Sequence, residues 1–194
     1  MRRLLMLGWT LAAWGGELQD DLAARRAKLM ERLGGDTLVV VRSAPHRVYS
    51  LDVEHEYRQD SNFYYLTGIE EPDGTLVLMP GNVGRKAFLF LPARDAMAEH
   101  WNGKRLSVEE GKAQSGVADV HGAGELAPFL EAMFSGRPWL AHRRAPRPAD
   151  FDGYLKAVEE GRARLAVVLD QPLQAAGPVN PLLGWANEMR DRFP

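Results

Sequence analysis

The fold of this chain is decided largely by the stretch YRQDSNFYYLTG (residues 57–68), which is followed by EPDG (residues 71–74). Three aromatic residues and a leucine lie between a polar, turn-prone start and Gly68. The EPDG turn signal is followed by an apolar run. This pattern predicts a buried aromatic strand over Phe63–Leu66, a tight turn, and a second buried strand over Thr75–Met79.

The length and composition indicate one folded domain. The chain has 194 residues, and its hydrophobic share of 45% is enough for a full core. It has 24 basic and 26 acidic residues, for a net charge of −2, and the two signs are interspersed. A nucleic-acid partner is not predicted, because that usually requires a basic stripe. The absence of cysteine excludes disulfides, thiolate zinc sites and cysteine nucleophiles.

The first sixteen residues have the layout of a secretory signal. A basic start at Met1–Arg3 precedes the run Leu4–Trp14, which is apolar apart from Thr10. Small residues at Ala13 and Gly15 then provide a cleavage pattern. The apolar run is too short to span a bilayer comfortably, so we expect an exported protein, periplasmic or extracellular, without a membrane span. The alternative is an amphipathic first helix that packs on the domain of a cytoplasmic protein.

Alternating helices and strands predict an α/β fold. Helices are predicted over residues 17–33, 107–115, 125–134 and 150–164. Strands are predicted over residues 37–41, 63–66, 75–79, 86–91, 117–120, 138–141 and 165–169. Ser107 and Glu110 have the spacing of a capping box at the start of a helix. Together, these helices and strands predict a mixed β-sheet of about five to seven strands with helices on both faces.

The sequence predicts neither catalytic nor metal-binding residues. It contains no His-Glu-x-x-His, no Gly-x-Ser-x-Gly and no phosphate-binding glycine loop. The nearest approach to a metal motif is Asp119-Val120-His121, in which alternate residues would share one face of a strand. Two ligands are too few for a structural or catalytic metal site.

A second distinctive stretch is RDAMAEHWNGKRL at residues 94–106. It places Trp101 among polar or small neighbours, which is an unusual setting for a core residue. Tryptophan is enriched at interfaces and in ligand pockets, where part of the ring remains uncovered by its own domain. Two roles therefore stay open for Trp101: an interface or pocket residue, or an ordinary partly buried one.

Together these stretches resemble the N-terminal domain of aminopeptidase P, in the creatinase/prolidase family. The resemblance runs from RRAKL (residues 25–29) through the aromatic stretch and the pattern RDxxxExWxGxR to NEMR (residues 187–190). It implies a creatinase/prolidase N-terminal-like domain over residues 17–186, which follows the signal peptide predicted above at residues 1–16. Residues 187–194 would begin a linker to a catalytic domain that is absent from this chain.

The resemblance also implies a function for the parent protein. In that family a separate pita-bread domain holds two metal ions, usually manganese, on two aspartates, a histidine and two glutamates. None of these ligands has a counterpart here. The parent would be an Xaa-Pro aminopeptidase, which removes the N-terminal residue from peptides with proline second. The present chain would be its non-catalytic N-terminal domain, and its partners would be its own catalytic domain, other copies in a homo-oligomer, and the peptide. A tryptophan matching Trp101 would reach the mouth of a neighbouring subunit's active site.

Two alternatives remain at the level of sequence. The chain could be a stand-alone, non-enzymatic binding or assembly module with the same fold. It could also be the N-terminal domain of a prolidase or a creatinase, although the stretch around Trp101, which we call the tryptophan segment (residues 94–106), favours aminopeptidase P. The DNA downstream of codon 194 separates the first alternative from a peptidase, because a peptidase requires an open frame that encodes the metal ligands.

Overall fold

A mixed five-stranded β-sheet with helices on both faces organises the structure, as the sequence predicts. The computed structural model describes residues 13–45, 48–50, 53–54, 56–95, 97, 99–100, 103–137, 139, 151–168 and 180–193. The helices are α1 (Ala13–Glu31), α2 (Ser61–Thr67), α3 (Val108–Ser115), α4 (Leu126–Phe134), α5 (Asp152–Glu159) and α6 (Pro181–Arg192). The strands are β1 (Thr37–Arg42), β2 (Val48–Ser50), β3 (Val53–Glu54), β4 (Thr75–Leu78), β5 (Ala87–Leu91), β6 (Asp119–Gly122) and β7 (Arg164–Val167).

The sheet has the strand order β6-β5-β4-β1-β7, and β2 pairs with β3 in a separate two-stranded ribbon. The central strand β4 is antiparallel to both of its neighbours, with Val77 opposite Val40 of β1 and Phe88 of β5. The two outer pairs, β1 with β7 and β5 with β6, are parallel. The antiparallel strands thus lie at the centre of the sheet, and longer connections add a parallel strand at each side.

One face of the sheet has an aromatic core. Leu38 and Val40 of β1 point to this face, which is covered by α4 and α5. The ring centroid of Phe88 lies 5.0 Å from that of Phe129 and 5.6 Å from that of Phe151. All five side chains are buried. Rings at these separations add specific contacts to the burial of their large apolar surfaces, and so fix α4 and α5 on the sheet.

The opposite face packs against α1, α2 and α3. Successive strand residues point to opposite faces, so Val39 and Val41 of β1 lie on this side. Phe63 and Leu66 of α2 join them in the core, and Leu29 of α1 packs against the cluster. β1 is thus buried on both faces, which explains why its sequence is a continuous apolar run.

The aromatic stretch forms a helix, so the predicted strand over Phe63–Leu66 is wrong. The side chain of Asp60 caps α2 by accepting a hydrogen bond from the Phe63 N–H at 2.8 Å. Gly68 ends the helix in the left-handed conformation, at φ 68°. Asp60 and Gly68 are the usual start and stop signals of a helix, and here they outweigh the strand propensity of the aromatic residues between them.

The burial pattern of α2 also has the helical period. Phe63, Leu66 and Thr67 are buried, at positions i, i+3 and i+4 of one face. Tyr64 and Tyr65 are 47% and 52% exposed on the other face. A two-residue period would have buried one of the tyrosines together with Phe63 or Leu66. The same four residues thus present two aromatic rings to solvent.

Arg26 of α1 joins the ends of two other helices. Its side chain is 4% exposed, and its Nη1 atom donates to the carbonyls of Leu66 (2.7 Å) and Ser115 (3.0 Å). These carbonyls lie in the last turns of α2 and α3, where helix carbonyls lack intrahelical partners. Burial lowers the pKa of the guanidinium. One buried cation therefore caps both helices.

Most other predicted elements are confirmed, with shifted ends. The capping box at the start of α3 is present: Ser107 Oγ accepts from the Glu110 N–H at 3.1 Å, and Glu110 Oε2 accepts from the Ser107 N–H at 2.8 Å. The helix predicted to continue to Arg164 ends at Glu159. Arg164 begins β7 instead, and its N–H donates to the Asp36 carbonyl at 2.8 Å, so pairing with the sheet prevails over helix propensity there.

Residues 138–141 and 187–190 complete the comparison of predicted and observed elements. The predicted edge strand at residues 138–141 lies outside the described residues, except for Trp139, which is 6% exposed. The residues at 187–190 belong to α6, which continues to Arg192. Within the described part of the chain, no helix has both the length and the apolar character that a membrane crossing requires.

Candidate functional site

The candidate site residue Trp101 lies outside the described residues, so its role stays a prediction. The structure does describe Glu99 and His100 before it and the chain from Gly103 onward. These flanks connect to the aromatic stretch and to the EPDG turn. Three segments that are apart in sequence therefore meet at one place. We call this place the motif junction, and it consists of Gln59, Glu71, Asp73, Arg105 and Leu106.

Gln59 uses both ends of its amide in the motif junction. Its Oε1 atom accepts from the N–H groups of Ala44 and Asp60, each at 2.8 Å. Its Nε2 atom donates to the carbonyls of Glu71 (2.7 Å) and Ile69 (3.2 Å). One side chain thus links the loop after β1, the start of α2 and the turn before β4. An amide is suited to this position because it supplies donors and acceptors without charge.

Glu71 connects that turn to the tryptophan segment. Its Oε1 atom accepts from the N–H of Leu106 at 2.6 Å. Its Oε2 atom is buried and has no hydrogen-bond partner among the described residues. Burial raises the pKa of the Glu71 carboxyl, and the Leu106 N–H and the nearby Arg105 guanidinium oppose that rise. The Glu71 carboxyl is therefore partly desolvated, and the Leu106 N–H is the hydrogen-bond donor that the structure describes for its side chain.

A second carboxylate, that of Glu99, links residues near the two ends of the tryptophan segment. Glu99 accepts from Arg94 in a two-point contact, at 2.7 Å and 2.8 Å, and from the N–H of Arg105 at 3.2 Å. The hydrogen bonds from Arg94 are the main cause that lowers the pKa of Glu99 to about 2. The Arg105 guanidinium lies 3.6 Å from Asp73 of the EPDG turn. Neighbouring amides at 105 and 106 are thus held by two different carboxylates.

The chain that leaves the segment is also held by an ion pair. Lys104 Nζ lies 2.6 Å from Glu110 Oε1, while the other oxygen of Glu110 belongs to the capping box. The Lys104 hydrogen bond, followed by those from Ser107, lowers the pKa of Glu110 to about 2. The carboxylates around the segment are therefore engaged with cations or amides. In chemical terms the described arrangement positions backbone; it does not pair a nucleophile with a base.

The exposed face of α2 is a second candidate surface. The Arg25 guanidinium lies 4.5 Å from the centroid of the Tyr65 ring, and its Nη1 donates to the Tyr65 carbonyl at 3.2 Å. Two shallow cavities of about 340 and 500 Å³ meet at this pair; Tyr64 and Arg58 line the larger one. Exposed tyrosine and arginine side chains are the types enriched at protein interfaces.

The two candidate residues of the weak metal motif, Asp119 and His121, contact other side chains in the structure. Asp119 accepts from the Arg85 guanidinium, with the Nε contact at 2.9 Å. The His121 ring lies edge-on to Trp139, with centroids 4.9 Å apart, and burial lowers its pKa. Among the residues that the structure describes, no group of three or more histidines and carboxylates could hold an ion.

Sequence reasoning missed the roles of Gln59, Glu71 and Arg105. All three belong to the stretches that were quoted as distinctive, but their spacing gives no sign that they meet in space. An acidic residue in a turn such as EPDG also has an ordinary interpretation as a solvated turn residue. The signal that could have identified Glu71 is its place between two buried elements, Ile69 and β4, where a carboxylate requires a partner.

Comparisons with known proteins agree with the resemblance. Residues 22–140 match the family described as aminopeptidase P, N-terminal domain. Xaa-Pro aminopeptidase 3 of Homo sapiens is 33% identical over 163 residues, which are 77% of this chain and 32% of the human protein. The chain spans about a third of the length of the curated relatives it matches.

Solved structures show the same fold. A Bacillus anthracis structure, provisionally named aminopeptidase P, superposes with a TM-score of 0.73 over 91% of this chain and 36% of that chain, at 22% identity. The aminopeptidase PepP of Pseudomonas aeruginosa gives a TM-score of 0.59 over 77% of this chain and 36% of its own, at 29% identity. On the extent of the family match and the agreement of the fold, the chain belongs to the aminopeptidase P N-terminal domain family.

Proposed function

We propose that this chain is the non-catalytic N-terminal domain of an Xaa-Pro aminopeptidase, which would remove the N-terminal residue from peptides with proline second. The supporting observation is the extent of the match. The relatives carry the domain as about a third of their length, and they are named for an activity that belongs to the whole protein. The remaining two thirds of those proteins have no counterpart in the matched region.

The metal centre of such an enzyme would lie in the part of the relatives that is outside the matched region. Two divalent ions, which we expect to be manganese, would activate a water molecule and polarise the scissile carbonyl. The described residues of this chain do not fit that centre, because Asp119 is paired with Arg85 and His121 lies against an aromatic ring. Purified chain should therefore not hydrolyse a proline-second peptide, even with added manganese. Metal-dependent turnover that co-purifies with this chain would contradict the proposal.

Within the enzyme, the domain would border the substrate cleft and contribute to a homo-oligomer. Trp101 would contact substrate, in trans at a neighbouring subunit. Support comes from the contacts of Glu99 and Glu71, which hold the chain on both sides of Trp101 while the tryptophan itself has polar or small sequence neighbours. The exposed Tyr64 and Tyr65 offer a further surface for contact with the catalytic domain or with another copy.

The test is Trp101→Ala in the full gene product, with Trp101→Phe as the matched control that retains an aromatic ring. We expect the alanine variant to lose activity on a proline-second peptide, or to dissociate in sedimentation, while the melting temperature of the 194-residue chain changes little. A buried core tryptophan typically loses about 3–5 kcal/mol on truncation to alanine. A loss of that size in the isolated domain, with normal activity and assembly, would assign Trp101 a structural role instead.

We also propose that the protein is exported. α1 begins at Ala13, inside the predicted signal peptide at residues 1–16. Among the described side chains of α1, the buried ones are Leu22 and Arg26, and both lie downstream of that segment. Cleavage near residue 15 would therefore leave the contacts of these two side chains intact.

A further inference from the structure

The charges of α1 are divided between its two halves. Residues 17–21 carry three acidic side chains and no basic one, whereas residues 25–32 carry four basic side chains and one acidic one, Glu31. The helix dipole favours such a division only within the terminal turns, and Asp21 and Arg25 lie more than one turn from either end of α1. The dipole alone therefore does not explain the division.

Five exposed residues form a stripe along the outer side of α1, which we call the α1 stripe. Spacings of four, three, four and four residues place Glu17, Asp21, Ala24, Lys28 and Arg32 near one side of the helix. Among the residues that the structure describes, Asp21 pairs within its own helix, whereas no ion pair involves Glu17, Lys28 or Arg32. The α1 stripe therefore presents charges of both signs that are available to a partner.

The α1 stripe is complementary to itself in the reverse direction. Along the helix axis, Glu17 and Arg32 each lie about 11 Å from the point midway between residues 24 and 25, and Asp21 and Lys28 each lie about 5 Å from it. A second α1 that crosses antiparallel at this point would place its Arg32 opposite Glu17 and its Lys28 opposite Asp21. A two-fold axis makes each match occur twice. The small side chain of Ala24 at the crossing permits a close approach of the two helices.

Apolar surface adjoins the α1 stripe. Leu18 of α1 is 49% exposed, and Tyr64 and Tyr65 are exposed on α2, which packs against α1. Exposed ion pairs add little affinity, but they select a partner and its orientation, while aromatic and apolar side chains supply buried area at interfaces. The surface thus has both components of an interface.

We propose that α1 forms a two-fold interface at which the chain pairs with a second copy of itself, the two helices running antiparallel. The inference rests on the homo-oligomer of the proposed function and names its surface. It requires neither Trp101 nor the peptidase activity. The α1 stripe begins after the predicted signal peptide, so cleavage leaves all of its residues in the mature protein.

The test exchanges charges in the 194-residue chain and measures association by sedimentation at about 50 mM salt, where exposed charges are weakly screened. Glu17→Lys with Asp21→Lys makes the α1 stripe basic, and Lys28→Glu with Arg32→Glu makes it acidic. Each variant alone should associate at least about tenfold more weakly than the wild type, because like charges then face each other. An equimolar mixture of the two should regain the wild-type affinity, because every facing pair is then attractive.

Two further samples separate pairing from net charge and from folding. Glu109→Lys with Glu159→Lys is the matched control, because it changes the net charge as much as the basic variant does, at exposed positions on α3 and α5. Its association should stay within about threefold of the wild type at this salt. Wild-type association should weaken about tenfold when the salt is raised to about 500 mM, a result that requires no variant to fold.

A wild-type chain that stays monomeric up to about 1 mM overturns the proposal, as does a mixture that associates no better than either variant alone. The full gene product distinguishes this failure from that of the proposed function. If it forms an oligomer that the two variants leave unchanged, the α1 interface is wrong and the homo-oligomer stands. If it is monomeric while the 194-residue chain pairs as described, the homo-oligomer of the enzyme is wrong instead.

Discussion

Replacement of Arg26 by methionine tests the claim that one cation caps two helices. Arg26→Met keeps a long apolar stem in the 4% exposed position but removes both donors. The carbonyls of Leu66 and Ser115 then lose their partner, at 2.7 and 3.0 Å respectively. Each unsatisfied buried acceptor costs about 1–3 kcal/mol. Relief of the desolvated charge offsets part of this, so we expect a net loss of about 2–4 kcal/mol.

Urea unfolding of the 194-residue chain, followed by circular dichroism, measures this difference. Arg32→Met is the matched control, because Arg32 directly follows the same helix and is exposed. Its effect should stay within about 0.5 kcal/mol. For a domain of this size, the expected loss at Arg26 corresponds to a melting temperature lower by about 5–15 °C.

The result that would refute this reasoning is an Arg26→Met variant as stable as the wild type. Buried ionic groups can sometimes be replaced by apolar residues of similar volume with no loss of stability, or with a gain of about 1–4 kcal/mol. If Arg26→Met is as stable as the wild type, then the desolvation of the guanidinium cancels its two hydrogen bonds. The capping argument would in that case be refuted, even though the geometry is as described.

Further predictions concern packing, pH and processing. Gly81→Ala should destabilise the chain by about 3 kcal/mol or more in urea unfolding, because the new Cβ would lie 2.0 Å from the Gly35 carbonyl oxygen. Gly124→Ala is the control, because there is open space around Gly124. Equal stabilities of the two variants would contradict the close approach of Gly81 to Gly35. The Arg94 contact lowers the pKa of Glu99 to about 2. The ionised Glu99 therefore stabilises the fold above its unfolded pKa near 4.5, and this stabilisation is lost as the pH falls towards 2. Glu99→Gln should flatten the dependence of the unfolding free energy on pH in this range, and an unchanged slope would exclude the contribution of Glu99. Intact-mass analysis of protein from the native host should show loss of roughly the first fifteen residues, and a chain that still begins at Met1 would argue against export.

The central strands β1, β4 and β5 could be predicted from sequence because they are apolar runs between clear turn signals. The segment at Phe63–Leu66 could not, since four consecutive apolar residues do not distinguish a strand from one helical turn. The decisive information was in the flanks: Asp60 as a cap and Gly68 as a stop. The strand interpretation gave weight to aromatic propensity, which tertiary context readily overrides.

The site was predictable only in part, for a different physical reason. Trp101 stands out by residue type, whereas the contact between Glu71 and Leu106 depends on how β4, α2 and α3 are arranged around the sheet. Gln59 likewise joins Ala44 to the turn at Glu71 across short loops that have no periodicity. Such contacts are set by three-dimensional packing, and a single sequence carries no direct record of it.

The parallel pair of β1 and β7 has a consequence for how the protein is made. Thr37 pairs with Arg164, 127 residues later in the chain. At synthesis rates of about 5–20 residues per second, the apolar edge of β1 stays open for about 6–25 s before its partner leaves the ribosome. An unpaired apolar edge strand is a template for aggregation. A shortened version that ends at residue 140, where the family match stops, would keep that edge open permanently, so recombinant work should retain the chain through β7.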